Sequence, residues 1–344
     1  MLAPIAWRTP PVHYGPWELI TSLLTEGLVA RGIDVTLFAT LDSQTTATLR
    51  GISPHGYAED PSMDGRVWEA MHVANVLSQS KDFDLVHNQL DWLPLAFAAH
   101  CAAPIVTTIH GFSGAGILPA YKQARSHYVA ISDSDRSPDL DYVATIYHGV
   151  DLTTLPFRAV PGDELVVFGR IHPDKGTAEA ITIAKQAGRR LVICGIVQDD
   201  RYFTEEIEPQ VDGDGVRYLG SIGPEQRAEV LGSAAVLLHP IAFDEPFGLS
   251  VVEAMACGTP VIAFNRGSVP EVLDDGVTGF IVEDEIGAVA AVNRLHKMPR
   301  AGVRQRFEER FTSHRMAQQY VDAYQSVIRA QKRSRFKVID TSGS

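Results

Sequence analysis

The chain has 344 residues, of which 45% are hydrophobic and 21% charged, and its 42 acidic against 30 basic groups leave a formal net charge of −12. That balance excludes nucleic acid as a partner, because phosphate neutralisation requires clustered Lys and Arg and no basic stripe occurs. At roughly 150 residues per domain, the length predicts two domains, each with a full core.

A short apolar run, Leu2 to Trp7, predicts a first strand that the chain enters almost at once, followed by a proline-rich loop. Helical spacing of Leu19, Leu23, Leu24 and Leu28 predicts a helix from Gly15 to Arg31, closed by Gly32 as a helix C-cap. The alternation continues with a strand at 33–39, a helix at 67–79, a strand at 85–88, a helix at 93–103 and a strand at 105–110. Residues 128–131 and 145–147 add two more strands. Strands that alternate with helices and read as continuous apolar runs predict a parallel sheet covered on both faces.

The stretch DLTTLPFRAVPGDE after Val150 carries neither period and reads as a linker. Beyond it the rhythm restarts: strands at 165–168, 191–194, 216–219, 234–238 and 260–264, with helices at 177–187 and 249–255. From Ala301 the chain is helical and charged. The expected organisation is an α/β fold of two doubly wound, Rossmann-like domains facing across a cleft. The first domain spans residues 1–150 and the second 151–312; a helix at 313–331 packs back on the first domain, and 332–344 form a solvated tail. Ligands of such sheets bind at the carboxyl ends of the strands.

The opening MLAPIAWRTPP is broken by Arg8 and prolines before it could act as a signal peptide, and no apolar run approaches the roughly 18 to 20 residues of a membrane helix. Three scattered cysteines (Cys101, Cys194, Cys257) fit a reducing compartment. A cytoplasmic location without stable membrane insertion is expected; the oligomeric state is left open.

Two loops of the second half carry chemistry. In VVFGRIHPDKG (166–176) a strand ends at Phe168, and Arg170 and Lys175 follow before a helix begins, so two cations stand beside a helix N-terminus as an anion site would require. In EPFGLSVVEAM (245–255), Pro246 suits a helix start. Glu245 therefore lies in the loop and Glu253 in the early turns of the helix, while Gly248 lets backbone approach a ligand. Carboxylates only accept hydrogen bonds, and vicinal hydroxyls satisfy them well. Cations for phosphates and acids for hydroxyls together describe a nucleotide sugar.

These residues, Arg170 and Lys175 in GRIHPDKG with Glu245 and Glu253 in EPFGLSVVEAMACGTPVIA, resemble the signature of retaining glycosyltransferases of family 4 (GT4), whose fold is GT-B; the acids match its E-x7-E motif. IYHGVD (146–151), VRYLGSI (216–222), AVLLHP (235–240), GSVPEVLDDGVTGFIV (267–282) and TTIHG (107–111) extend the resemblance over most of the chain. It implies that Arg170 and Lys175 hold the diphosphate and neutralise the leaving nucleotide. Glu253 would accept the ribose hydroxyls, and Glu245 with the backbone at Phe247, Gly248 and Leu249 would hold the transferred sugar and phosphate. Gly195, Tyr218, Leu219 and Gly220 would border the base, Gly15 would approach the phosphates from the first domain, and His110 would face the donor sugar. One departure is HYGPWE in the first loop, where a bulky Tyr14 stands beside Gly15 in place of a second glycine.

The implied reaction moves a sugar from a nucleoside-diphosphate sugar to a hydroxyl acceptor with retention, needing no cofactor or metal because the two cations neutralise the leaving group. Asp133 and Asp135 of SDSD (132–135) offer a D-x-D metal alternative, weighed against simple turn capping. His87, His148 and His239 read as strand-end structural groups, and HGFSGAG (110–116) is not a nucleophile elbow, so Ser113 receives no nucleophilic role. Asn88 and Trp92 of NQLDW are possible acceptor contacts, as is Tyr14. The acidic first domain lacks a basic amphipathic helix, so a soluble acceptor is expected over a lipid one. Two rivals stay open: a nucleotide-sugar 2-epimerase of the same architecture, and a two-lobed non-catalytic sugar-binding protein.

Overall fold

The structure, a computed structural model of the chain, describes residues 1–111 and 114–335. Its amino-terminal lobe runs α1 (Pro16–Val29), β1 (Thr36–Phe38), β2 (Thr48–Arg50), α2 (Gly65–Gln79), β3 (Val86–Asn88), β4 (Ile105–Ile109), α3 (Leu118–Gln123), β5 (Ser126–Ala130) and β6 (Tyr142–Thr145). β3, β4, β5 and β6 lie side by side, all parallel. Leu2 bridges Phe38 on one side and Asn88 on the other, which joins the β1–β2 pair to them in one continuous layer.

The carboxyl-terminal lobe follows with β7 (Leu165–Phe168), α4 (Thr177–Gln186), β8 (Leu191–Cys194), the single turn α5 (Asp200–Tyr202), β9 (Val216–Tyr218), α6 (Pro224–Ser233) and β10 (Val236–His239). After these come α7 (Leu249–Ala256), β11 (Val261–Phe264), α8 (Val269–Val272), β12 (Gly279–Val282), α9 (Glu285–Val292), α10 (Arg300–Arg310) and α11 (Ser313–Arg335). Its sheet has the order β9-β8-β7-β10-β11-β12, again all parallel. The strand sequences LVVF, LVIC, VLLH and VIAF are buried almost throughout, as strands covered on both faces must be. The order reverses between β7 and β10, and the crevice above their carboxyl ends is where such a sheet receives a ligand. Two Rossmann-like lobes therefore form, as the alternation predicts.

Local chemistry accounts for most boundaries. Pro16 opens α1, where a missing N–H costs nothing, and the Ile33 amide closes it on the Leu28 carbonyl at 3.2 Å. The Asp64 carboxylate caps α2 by accepting from Arg66 and Val67, and Asp284 caps α9 through Gly287. The first strand is far shorter than the run Leu2 to Trp7: Pro4 has no amide for a ladder, and the Trp7 amide donates to the Glu18 carboxylate instead. The helix expected at 93–103 is a 3-10 stretch, Leu93–His100. The strand expected at 145–147 lies earlier, at Tyr142–Thr145, where the pairing with β5 slips by one residue. The expected tail at 332–344 begins inside α11, which runs to Arg335; its remainder lies outside the described residues.

α11 returns to the amino-terminal lobe. Its buried face, Met316, Ala317, Tyr320, Ala323 and Val327, joins one apolar cluster with Ile20, Leu24 and Leu28 of α1 and with Val106 and Val129 of the sheet. The chain crosses between lobes twice, and the crossings touch: Val150 donates to the Phe311 carbonyl at 2.9 Å and accepts from the Ser313 amide at 3.0 Å. No helix among the described residues is long and apolar enough to cross a membrane.

Candidate active site

The loop after β7 approaches the next strand closely. Gly195 has a φ of +149°, and a Cβ built on it would stand 1.6 Å from the Gly169 carbonyl oxygen, so only glycine allows the two loops to meet. The Tyr218 hydroxyl donates to the Gly195 carbonyl at 2.9 Å and fixes the same corner. Arg170 projects from this loop, held by the Gln198 side-chain oxygen and by Asp174 at 3.5 Å. Lys175 follows after one 3-10 turn (Pro173–Lys175).

The loop after β10 stands opposite. Gly248, in the left-handed region at φ +84°, is the N-cap of α7 and turns the chain so that Glu245 and Glu253 face the same space. The Lys175 ammonium donates to Glu245 Oε2 at 3.0 Å, and His239 Nε2 stands 3.4 Å from that oxygen. Burial pushes the Glu245 carboxyl up in pKa, but His239 and the Lys175 charge outweigh it and hold the group at about 2. Glu245 is therefore a permanent anion.

Arg170, Lys175, Glu245 and Glu253 line one cavity of about 240 Å³, together with Gly248, Leu249 and Ser250 of the α7 terminus. Tyr14 and Gly15 close it from the amino-terminal lobe. One of its principal residues is not legible in the sequence. Arg227, in the first turns of α6, donates to Glu253 Oε1 at 2.9 Å and to the His13 carbonyl of the other lobe at 3.1 Å. Its one sequence signal is Pro224, which fixes the helix start and hence the face on which Arg227 falls.

Other expected residues lie elsewhere. Phe247 is buried in the core, ringed by Tyr147, His148 and Phe311, so that its side chain supports the loop and does not line the cavity. Gly195, Tyr218 and Leu219 sit at the adjacent strand ends without lining it. His110 does not reach it either. Its ring stacks on Trp17 at 5.2 Å, its Nε2 meets Gln89 Oε1 at 2.5 Å and its Nδ1 meets His148 Nε2 at 3.4 Å. Burial drives the His110 pKa well below the ordinary range and that of His148 to about 3, so both rings are neutral. The neighbouring Gly111 lies against Pro246: a Cβ there would stand 3.2 Å from the proline ring.

The SDSD loop serves the joint between lobes. The amides of Asp133 and Ser134 donate to the Glu271 carboxylate at 2.8 and 2.5 Å, and Asp133 accepts from Thr145 at 2.5 Å. Among the described residues no group of three or more His, Cys, Asp or Glu could hold a metal ion. His87 is buried, hydrogen-bonded to Tyr324 and Thr108, and Asn88 is spent on the Asp91 carbonyl and Thr107. Trp92 is 39% exposed. Ser113 lies outside the described residues.

Residues 159–313 match the model described as glycosyl transferases group 1, and residues 20–154 match that of glycosyltransferase family 4. The chain is 32% identical over 226 residues to the alpha-maltose-1-phosphate synthase of Mycolicibacterium smegmatis, an alignment covering 55% of this chain and 58% of that protein. It is 26% identical over 361 residues to the glycogen synthase of Mycobacterium tuberculosis, covering 87% of each. Among solved structures, HepE of Anabaena in complex with UDP-glucose superposes with a TM-score of 0.72 at 18% identity, covering 91% of this chain and 96% of that one.

Proposed function

The chain belongs to glycosyltransferase family 4, with the GT-B fold, and from that membership we propose that it moves a sugar from a nucleoside-diphosphate sugar to a hydroxyl of a non-lipid acceptor, with retention and without a metal. The observation that carries the reading is the single cavity lined by Arg170, Lys175, Glu245 and Glu253 at the strand-order reversal. In this reading Arg170, Lys175 and the free amides at the start of α7 hold the diphosphate, and Gly15 approaches it from the other lobe. Glu253 accepts from the ribose, and Glu245 accepts from the transferred sugar. Gly195, Tyr218 and Leu219 border the base.

The chemistry follows from where charge develops. Bond breaking at the anomeric carbon loads negative charge on the departing phosphate oxygen, and fixed cations stabilise that state more than the ground state. Losing one such contact typically costs about 3 kcal/mol, or on the order of a hundredfold in rate. Lys175 is already positioned for this by Glu245. Glu253 is shared in this reading: Oε1 keeps Arg227 at 2.9 Å, and Oε2 is the oxygen left for the ribose. For His110 the geometry supports a positioning role, its ring anchoring the backbone at Gly111 against the Pro246 loop.

HepE is described as bound to UDP-glucose, which makes uridine diphosphate the first donor to try. A thermal-shift series with UDP, ADP, GDP and their sugars should give one strong stabiliser, since a ligand at a hundred times its Kd adds about 2.7 kcal/mol by mass action. Lys175→Ala should abolish that shift, whereas Glu245→Ala should keep the diphosphate shift and lose turnover; EDTA should leave turnover unchanged. If Lys175→Ala folds and still shows the full shift, the cavity is not the donor site.

A further inference from the structure

A second cavity, of about 460 Å³, opens on the far side of the Tyr14–Pro16 loop. It shares Tyr14, Gly15, Pro16 and Arg170 with the first cavity, and the rest of its wall comes from the amino-terminal lobe. A molecule lying in it would be separated from the first cavity only by the thickness of that loop.

Its polar wall is one-sided. Glu18, Glu69 and Asp91 line it, and Arg170, already engaged by Asp174 and Gln198, is the one basic side chain on its wall among the described residues. Glu18 is 3% exposed; the Trp7 amide reaches its Oε1 at 3.2 Å, and its Oε2 lies beside Gly15 with no cation paired to it among the described residues. The Tyr57 hydroxyl donates to Glu69 at 2.7 Å and orients it. Asp91 is held at φ +64°, the one positive-φ residue other than glycine among those described, by the Tyr121 hydroxyl on its carboxylate and by Asn88 on its carbonyl at 2.7 Å. Such a conformation persists only where surrounding contacts over-determine it, and it recurs at functional sites. Burial raises the pKa of Glu69 and of Asp91, and the Asp91 charge adds to the rise at Glu69. Any further anion in this space would work against all three carboxyls.

The apolar wall consists of rings. Trp7, Tyr14, Tyr57 and Trp92 line the cavity, and Trp92 is 39% exposed although it is flanked by structure on both sides. Ring faces beside carboxyl groups that accept hydrogen bonds when ionised, which burial delays at Glu18 until about pH 7, suit a molecule with C–H faces and many O–H or N–H donors. A phosphorylated or carboxylated molecule finds no basic side chain among the described residues here but Arg170, which Asp174 and Gln198 already engage and which the donor diphosphate claims in the reading above.

Resting on the reading of the first cavity as the donor site, we propose that the second cavity takes a saccharide acceptor rich in hydroxyl or ammonium donors and free of anionic groups, with one sugar ring against Trp92 and its donors on Glu18, Glu69 and Asp91. The class excludes sugar phosphates. The alpha-maltose-1-phosphate synthase of M. smegmatis is named for a phosphorylated product, and this wall is matched to the opposite charge.

The test uses the full chain with UDP-glucose, ADP-glucose and GDP-mannose each tried as donor, reading nucleoside-diphosphate release above acceptor-free hydrolysis. Glucose, glucosamine, maltose and maltotriose are compared with glucose 1-phosphate, fructose 6-phosphate and glucuronate at equal concentration. At least one uncharged or aminated member should stimulate release tenfold or more, and every anionic member less than twofold. Trp92→Ala and Asp91→Asn should each raise the KM for that acceptor about tenfold while the KM for the donor changes less than twofold. Stimulation by an anionic member, stimulation by none, or an acceptor KM unmoved in both variants overturns the proposal. Failure of the donor reading has a separate signature, since the thermal shift abolished by Lys175→Ala would then be missing before any acceptor is added.

Discussion

Glu18 and Glu245 are both carboxylates buried beside the cleft, and their surroundings drive them in opposite directions. Burial raises both, but Glu245 has His239 and Lys175 to offset it and falls to about 2, whereas Glu18 has only backbone amides among the described residues and rises to about 7. For Glu18 the folded state holds its proton more tightly than the unfolded state, so stability is lost as pH rises from about 4.5 to about 7. The loss amounts to about 3 kcal/mol by the neutral side of that window. Glu18→Gln keeps the acceptor for the Trp7 amide and removes the titration. Urea unfolding should therefore find the variant little changed at pH 4.5 and more stable than the parent at pH 8; an equal difference at both pH values would refute the assignment. Neither environment is written in the chain near residue 18, because what decides it is the lack of a cation brought in from elsewhere. For Glu245 half the answer is sequential: Lys175 and the acid stand on loops that the strand order places side by side.

At the scale of elements, the loop after β7 depends on a contact between backbones. Replacing Gly195 by Ala places a carbon against the Gly169 carbonyl, so one of the two loops must move. A strained backbone of this kind costs of order 1–3 kcal/mol. The expected outcome is a lower urea midpoint together with a weaker thermal shift by nucleoside diphosphates; a normal midpoint with normal binding would show that the corner is not required. Such a contact is invisible in one dimension, although VVFGR and VICG both announce a strand followed by glycine. The elements the sequence reveals are those with apolar runs: β7, β8, β10 and β11 fall within two residues of expectation because they are buried on both faces. β2 (TLR) is half in solvent and α6 (PEQRAEVLGS) is largely polar, so neither carries a period that stands out, and Arg227 is missed with α6. Arg170, Lys175, Glu245 and Glu253 of the first cavity are legible because two short stretches, 166–176 and 245–255, hold them all. His110 misleads because a strand-end position is visible in the sequence, whereas the direction of its ring depends on Trp17, Gln89 and His148.

On the scale of the whole molecule, α11 is the element that belongs by sequence to one lobe and by packing to the other. Tyr320 is fully buried, and its hydroxyl bonds to Thr108, which in turn reaches His87. Truncation of a buried aromatic side chain costs about 3–5 kcal/mol, so Tyr320→Ala should lower the urea midpoint of the amino-terminal lobe more than that of its neighbour. Site-specific hydrogen exchange resolves the two: amides of β3 and β4 should lose protection first, and loss confined to β7 and β10 would contradict the packing described here. The adjacent crossings at Val150 and Thr312 carry a practical corollary. Severing the polypeptide once, anywhere from 156 to 163, would not yield two separable halves, because the return passage still tethers them. A gene divided there would encode one product stripped of part of its interior and another trailing a greasy, unsheltered helix.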